Sequence, residues 1–517
     1  MPHFQFFDFH SSFYISFINH EIGIVNENHD VKSFIVVCLH GKIRNTKYMQ
    51  QDTIQANKHY IAIIGGSVSG SEAATMLAQK GFKVVVFDQN ELPYGKLEDG
   101  LPMWHASLRD RQEEAIDDKL DHANITYIPL VQIGKDINFN DLVKDWGFSA
   151  VILANGAWND RQLPLNRIHD YLGTNLVYQN PFLYWFNHKH ETNYKGKRYQ
   201  IQNKSVVLGG GLASIDVIKI VMMELVMAGL KKHKNIDVDL FTLEKKGVRE
   251  ILELHQTTLE EIGVEPGYLV YRRAAEDMPL AQPSDDSPEK VAKARETSKN
   301  LLEKYEEKFM FHFVPQAVVE EEIIENGQFV GLKFRKMKIE GSKLIATDEF
   351  FDIQTTFVIG SIGSIPKKIE GLPYDGEKLK MNPENEFNVY GYENVFAIGN
   401  AITGKGNIMS SKKHGKEMTA KIISEHLDEL EDIYTNEEEI FEKINVYNKA
   451  LKDLINDELK SIENSILNHQ VISENEEVYL LDKTAKLSED RQFSNYRRWV
   501  AEHKPTRLED MLGIKGH

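Results

Sequence analysis

Cysteine is almost absent: Cys38 is the only one in 517 residues. A single thiol excludes a C-x-x-C redox pair, an internal disulfide framework and any iron–sulfur cluster held by this chain alone. It also points to reducing, cytoplasmic surroundings. Long apolar runs are missing too. None approaches the ~20 residues that a membrane helix needs, which predicts a soluble chain with no membrane span. Positive charge is in deficit, 61 Lys and Arg against 78 Asp and Glu for a net −17, and this argues against nucleic acid or an anionic membrane as the main partner. His188 and His190 have no nearby Cys or carboxylate at metal spacing, so they read as connector histidines and no metal is expected. What remains, 41% hydrophobic and 27% charged, is ordinary for a globular protein with room for about three domains.

Residues 1–48 are rich in Phe and His and carry Asp8, Glu21 and Glu27, acids that a transit peptide avoids. They lack a basic start, an apolar core and a small-residue cleavage site. The expectation is that Met49, 12 residues before Ile61, is the natural start and that the segment before it is dispensable or poorly ordered.

The chain is organised around IAIIGGSVSGSEAATMLAQKGFKVVVFDQN, residues 61–90. Ile61 to Ile64 is an apolar run suited to a parallel strand buried on both faces. Gly65, Gly66, Ser67 and Gly70 follow in a G-x-G-x-x-G spacing in which Ser67 replaces the second glycine. The first glycine turns the chain sharply. The last lets the helix pack against that turn, so that N–H groups and the positive helix end face a pyrophosphate. Val84 to Phe87 is the second strand, and Asp88 stands at its end, where a carboxylate meets a ribose diol. Glycines, helix, strand and acid in register predict a dinucleotide site; a structural βαβ unit without ligand is the bland alternative.

A second such unit starts 144 residues on. Ser205 to Leu208 reads as a strand, Gly209, Gly211 and Ser214 repeat the spacing, and a helix runs from Ile215 to Ala228. Asp237 to Leu243 reads as its second strand, which places Glu244 at the ribose and favours NADH. Lys245 and Lys246 follow at once and could instead meet a 2'-phosphate.

Several segments resemble the adrenodoxin-reductase type of flavoprotein and the related small subunit of glutamate synthase. PYGKLEDGLPMWH has Pro93, Gly95, Gly100 and Pro102 in that family's loop pattern, and His105 falls where the family has a histidine beside the flavin. Ala154-Asn155-Gly156-Ala157 is similar to its A-T-G-A turn. YRRAAEDMP (271–279) resembles a stretch of the glutamate synthase subunit, which implies Arg272 and Arg273 as candidates for a 2'-phosphate, a group that a guanidinium fork suits, and leans the balance to NADPH. ENVFAIGNAITGKGNI resembles the second flavin segment, with Asn400 where many FAD reductases have an acid and T-G-K-G-N-I for a G-P-T-G-x-I loop. The resemblance covers about residues 58–425. It implies FAD held by Gly65, Gly66, Ser67, Gly70, Asp88, Gly95, Gly100, Gly156, Gly399, Asn400, Gly404, Gly406 and Ile408, with NADP (or NAD) on the second unit. Without the resemblance, His105 would read as a surface histidine opening an amphipathic helix from Trp104 to Leu120.

The expected fold class is α/β: two Rossmann-like dinucleotide-binding domains plus a helical C-terminal extension. An FAD domain (58–165 and 355–430) would carry an inserted NAD(P)H domain (200–350). Ser287 could cap a helix to about Phe309, Phe311 to Ala346 would form a meander, and Phe357 to Gly363 would return the chain to the first domain. The tail, 431–517, would be helical over Ile440 to Ile466 and packed on the body. The implied function is hydride transfer from NAD(P)H to FAD and onward delivery to a ferredoxin-like carrier or a cluster-bearing partner subunit, as in a glutamate-synthase-type electron-input subunit. An acidic carrier would meet repulsion unless Lys405, Lys412 and Lys413 cluster locally. A non-redox nucleotide-binding assembly protein and a flavin oxidase or oxygenase are the other readings.

Overall fold

The computed structural model describes residues 56–402, apart from 282, 284–286, 342 and 385–386, and residues 437–514. The expectations for residues 1–48 and for the 403–413 loop fall outside these.

The chain opens with strand β1 (Tyr60–Ile64), helix α1 (Val68–Gln79) and strand β2 (Lys83–Phe87). All five residues of β1 are buried, because this strand is covered on both faces. Ile61 and Ile63 meet Ala73, Ala74 and Leu77 of α1, while Ala62 and Ile64 face Phe139, Leu142 and Phe148. Next come α2 (Lys96–Asp99), α3 (Ala106–Leu120), β3 (Ile125–Ile128), α4 (Phe139–Lys144) and β4 (Ala150–Leu153). The chain leaves this layer through β5 (Asn159–Asp160).

Strand β6 (Leu176–Tyr178) and helix α5 (Gln179–His188) precede β7 (Val206–Leu208) and α6 (Leu212–Lys234), then α7 (Leu240–Leu254), β8 (Tyr268–Val270), α8 (Pro288–Phe309) and β9 (His312–Val314). An antiparallel meander follows, made of β10 (Ala317–Glu325), β11 (Gln328–Glu340) and β12 (Lys343–Gln354). The chain returns through β13 (Val358–Gly360) and β14 (Ser364–Ile365), the hairpin β15 (Tyr374–Asp375) and β16 (Lys378–Leu379), and β17 (Val395–Ala397).

Two five-stranded parallel sheets result. The first has the order β17-β4-β1-β2-β3 and the second β6-β13-β7-β8-β9. The outgoing strand β5 and the returning strand β14 pair antiparallel, forming the double crossing between the two sheets.

Three expectations are corrected here. The stretch Asp237 to Leu243 is not a strand: Asp239 accepts from the Thr242 N–H at 2.9 Å and caps α7, so the second strand of this unit is β8. Phe357 to Gly363 does not return to the first sheet, since β13 lies in the second sheet between β6 and β7. Of the expected meander, β9 pairs parallel with β8. The segment that carries His188 supplies β6 and α5 to the second layer.

The extension is helical, with α9 (Glu437–Asn468), α10 (Glu474–Asp490), α11 (Tyr496–His503) and α12 (Leu508–Met511). Ile455, Leu459, Ile462 and Ile466 share one face of α9 and are buried in the core of the first domain. A capping box of Ser473 and Glu476 starts α10. The tail then closes over the 91–117 segment: Trp499 Nε1 donates to the Glu91 carbonyl at 2.6 Å, and the Tyr496 hydroxyl to Asp117 Oδ1 at 2.7 Å.

Candidate functional site

At the first turn the residues read from sequence lie together. Gly65 has φ of +101°, and a Cβ there would lie 2.7 Å from the Ala154 carbonyl oxygen. A Cβ on Gly70 would lie 1.8 Å from the Gly65 carbonyl oxygen, so α1 approaches the turn as closely as a backbone can. Gly399, at φ +57°, places its α-carbon where a Cβ would meet Ser69 Oγ at 2.5 Å. Gly156, at φ +62°, faces open space. Three sequence-distant segments, the 65–70 turn, Ala154 and Gly399, thus meet at the start of α1.

Asp88 also takes a part that its position at the strand end does not reveal. Its Oδ2 accepts from the Gly66 N–H at 2.7 Å and its Oδ1 from the Asn90 N–H at 2.9 Å, so the carboxylate braces the turn itself. Each oxygen still has a lone pair for a ribose hydroxyl. Burial raises its pKa to about 6, opposed by those two N–H groups. Ser67 Oγ turns away from the helix end and donates to the Tyr94 carbonyl at 2.9 Å. This pins the next loop, where Gly95 has φ of +57° and a Cβ would fall 3.0 Å from Ser67 Oγ. Because no side chain caps α1, its first N–H groups face outward for an anion. Gly100 ends α2 as its C-cap.

At the second turn a Cβ on Gly209 would lie 2.2 Å from the Ser361 carbonyl oxygen and one on Gly210 2.1 Å from the Tyr271 ring. Nothing lies within 4 Å of the Cβ position of Gly211, the glycine that a phosphate must approach. Ser214 Oγ pairs with Ser361 Oγ at 2.9 Å, fixing the start of α6 to the end of β13. Helix α6 also has no side-chain cap. Arg272 and Arg273 follow β8 directly, which is where a ribose 2' substituent lies in this unit. Glu244 and Lys245 sit on α7 instead. Glu244 is buried and ion-paired with Lys219 at 2.8 Å, while Lys245 is exposed, so the strand-end argument applies to neither. The residues that follow the second strand of this unit are instead Tyr271, Arg272 and Arg273, and the Tyr271 ring, which the sequence did not single out, lies against Gly210.

The two layers meet along α2, the 93–105 loop and α5. Lys96 Nζ donates to Asn180 Oδ1 at 2.9 Å and to Ser364 Oγ at 3.0 Å. Asn187 Nδ2 donates to the carbonyls of Glu98 (2.8 Å) and Leu101 (2.9 Å). His188 bridges Asp99 Oδ1 at 3.2 Å and Glu191 Oε1 at 2.6 Å. Burial alone would lower its pKa, but the bonds to Asp99 and Glu191 prevail and lift it to about 9. His105, 9% exposed, accepts from Trp104 Nε1 at 3.0 Å. Burial, with the Lys219 ammonium adding and Glu244 opposing, lowers its pKa to about 3. Lys219 lies 4.9 Å from the Trp104 ring, so His105 stands where the first domain touches α6 of the second. Beside it burial also raises Asp216 to about 6, with Lys219 opposing.

These two histidines are expected to show opposite states in imidazole nitrogen NMR, with resonances identified by their loss in His105→Gln and His188→Gln. His105 should stay neutral and His188 cationic over about pH 5 to 8. Either one titrating near its ordinary value would contradict the geometry. The stability linked to His188 is fully present below its unfolded pKa of about 6.5 and is lost as pH rises through about 9. That linked to His105 runs the other way, present above about 6.5 and lost as pH falls toward 3.

Two nucleotide turns, one inserted domain and a paired double crossing define the fold of the two-dinucleotide-domain reductases. The solved structure of FprA from Mycobacterium tuberculosis in complex with NADPH superposes with a TM-score of 0.56 at 16% identity, over 83% of this chain and 90% of that one. In sequence the chain is similar to the mitochondrial NADPH:adrenodoxin oxidoreductase of Arabidopsis thaliana, 22% identical over 352 residues, or 62% of this chain and 70% of the plant protein. It is also similar to the small chain of the NADPH glutamate synthase of Mycobacterium tuberculosis, 31% identical over 105 residues, or 20% of this chain and 21% of that one. No protein-family model matches the chain. Among the described residues no helix is long and apolar enough to cross a membrane.

Proposed function

We propose that this chain is an FAD-dependent NADPH oxidoreductase that passes electrons to a one-electron carrier protein or to a partner subunit with its own redox centres. The observation that carries it is the joining of both uncapped turns through one polar seam, from Ser67 and the Tyr94 carbonyl through Lys96 to Asn180, and from the adjacent Gln179 through Ser361 to Ser214. The residues fit the two groups: Gly70 lies against Gly65 as a pyrophosphate cradle requires, and Gly211 and Gly156 leave open space where ligand atoms come closest. Bound FAD would accept hydride from a nicotinamide and release electrons onward.

The chain's own residues bind and position. The first turn of α1 would hold the FAD pyrophosphate and Asp88 its ribose. The first turn of α6, with Gly211, would hold the NADPH pyrophosphate under the Tyr271 ring. His105 is neutral and already accepts a hydrogen bond at Nε2, so it acts as a wall of the seam rather than as an acid at neutral pH. A compartment that keeps thiols reduced suits a chain with one cysteine, and we place the protein in the cytoplasm. The similarity to the glutamate synthase small chain, together with YRRAAEDMP, supports a partner subunit as the specific outlet.

A visible spectrum during anaerobic NADPH titration tests this reading. The purified protein should be yellow and bleach, then regain colour when an oxidised carrier is added; a colourless protein that takes up no flavin would end the proposal. For the second site, Arg272→Ala with Arg273→Ala should raise the KM for NADPH about 10- to 100-fold, since bonds to a charged phosphate are worth about 1.5–3 kcal/mol each, and leave NADH turnover nearly unchanged. An unaltered NADPH-to-NADH ratio would place the 2'-phosphate elsewhere.

A further inference from the structure

Lys96 occupies a place that no nucleotide motif requires. It follows Gly95, whose positive φ and close approach to Ser67 fix the backbone of this loop against the first nucleotide turn. Its side chain then crosses to the other domain. The ammonium reaches Asn180 on the first turn of α5 and Ser364 at the start of the returning strand β14. Asn180 is itself held on several sides. Its N–H donates to Asp160 Oδ1 at 3.2 Å, and its Nδ2 donates to the Trp158 carbonyl at 3.0 Å and to Ser364 Oγ at 3.2 Å. Asp160 and Ser364 pair in the β5·β14 crossing, so the ammonium is fastened to β14 directly and to β5 through Asn180.

The path continues to the second turn. Gln179, next to Asn180, accepts from Ser361 Oγ at 2.6 Å, and Ser361 meets Ser214 at the start of α6. A polar connection thus runs from Ser67 at one turn to Ser214 at the other, and Lys96 supplies its single step across the gap between domains. An apolar residue could fill this space at less cost. Burial lowers the pKa of Lys96, and the Asp160 carboxylate opposes that. A cation held partly out of water is worth its desolvation only where it makes specific bonds.

We propose that Lys96 is a positioning residue that fixes the orientation of the NADPH domain relative to the flavin loop by tying α2 to the first turn of α5 and to β14. For its kinetic consequence the inference rests on the proposed hydride transfer between the two sites; its structural consequence is independent of that reading.

The test uses the full chain with Cys38→Ser and spin labels at Lys135→Cys and Lys232→Cys, exposed positions in the first and second domains. In the parent the interdomain distance distribution by pulsed dipolar spectroscopy should be narrow. Lys96→Met should broaden it about twofold or split it, and Lys96→Arg should restore the narrow form. FAD content and NADP+ affinity in Lys96→Met should stay within about twofold of the parent while anaerobic bleaching by NADPH slows about 10-fold or more, the split expected of lost positioning rather than lost binding. Superimposable distributions for parent and Lys96→Met overturn the assignment, whatever the bleaching rate. If the parent itself does not bleach, the functional reading fails, and the distance measurement still decides the role of Lys96. Should Lys96→Met fail to fold, Ser364→Ala removes one of the two acceptors and is judged by the same distributions.

Discussion

Gly70→Leu is expected to give a colourless protein whose second nucleotide domain still binds NADP+. A Cβ at this position would stand 1.8 Å from the Gly65 carbonyl oxygen, and that oxygen is backbone on a tight turn with nowhere to go. Helix α1 must therefore tilt away from β1, and the N–H groups at its start move with it. Such a shift costs about 1–3 kcal/mol in packing, which a domain with core on both faces of its sheet can absorb. Losing two or more charge-assisted bonds to a pyrophosphate, at about 1.5–3 kcal/mol each, lowers flavin affinity by a factor of about 100 or more. The absorbance ratio after gel filtration, circular dichroism and an NADP+ titration read the three consequences separately. A variant that remains fully yellow would show that the first turn does not hold the flavin. Gly327→Ala, in the turn between β10 and β11, is the control: it also has a positive φ, +77°, and open space at its Cβ position but belongs to neither nucleotide turn, so flavin should be retained.

Both glycine turns, their strands and their helices were legible in the sequence because backbone geometry there admits so few residue types. Elements placed by tertiary context were harder to read. D-V-D-L-F-T-L alternates as a strand does, yet Asp239 caps a helix there and the apolar positions Leu240, Leu243, Val248, Ile251 and Leu252 fit a helical face broken by Gly247 at φ +83°. A short apolar run such as V-I-G states that a strand is buried but not which sheet receives it, which is why β13 was assigned to the wrong layer. The carboxylate of Asp88 was found by position, while its bond to the Gly66 N–H was not, since that depends on how the turn folds back. Lys96, Asn180 and His188 carry no motif at all. Their roles arise only because α5 packs along the 93–105 loop, a contact between segments about 85 residues apart. The tail was readable as helical and packed, but nothing in its sequence indicated where its last arginine would be inserted.

That arginine is the basis of the other large effect, because Arg507→Met should destabilise the protein by about 3–5 kcal/mol, the penalty for leaving buried charges without their partner. Arg507 is 6% exposed. Its Nη2 donates to Glu113 Oε1 at 2.6 Å, its Nη1 lies 2.7 Å from Glu98 Oε2, and the Glu113 side chain is fully shielded from solvent. Burial pushes Glu98 upward, but Arg109 and Arg507 prevail and hold it below the usual carboxylate range. Burial raises Glu113 to about 7, with Arg507 opposing and Glu98 adding. The stability linked to Glu98 is thus present above its unfolded pKa of 4.5 and lost as pH falls through its lower folded value. That linked to Glu113 is present below 4.5 and lost as pH rises through about 7. Without Arg507 both carboxylates take up protons more readily, so the defect should be smaller near pH 5 than near pH 8, where a fall in melting temperature on the order of 10 °C is expected. Adding Glu98→Gln and Glu113→Gln to Arg507→Met should recover much of the loss at pH 8, because the cost lies in the unpaired carboxylates. Glu98 belongs to α2, one turn from Gly95 and Lys96, so flavin content should fall alongside stability in the single variant and return in the triple one. Melting curves at the two pH values that coincide with those of the parent would mean that the extension only rests on the flavin loop and does not hold it.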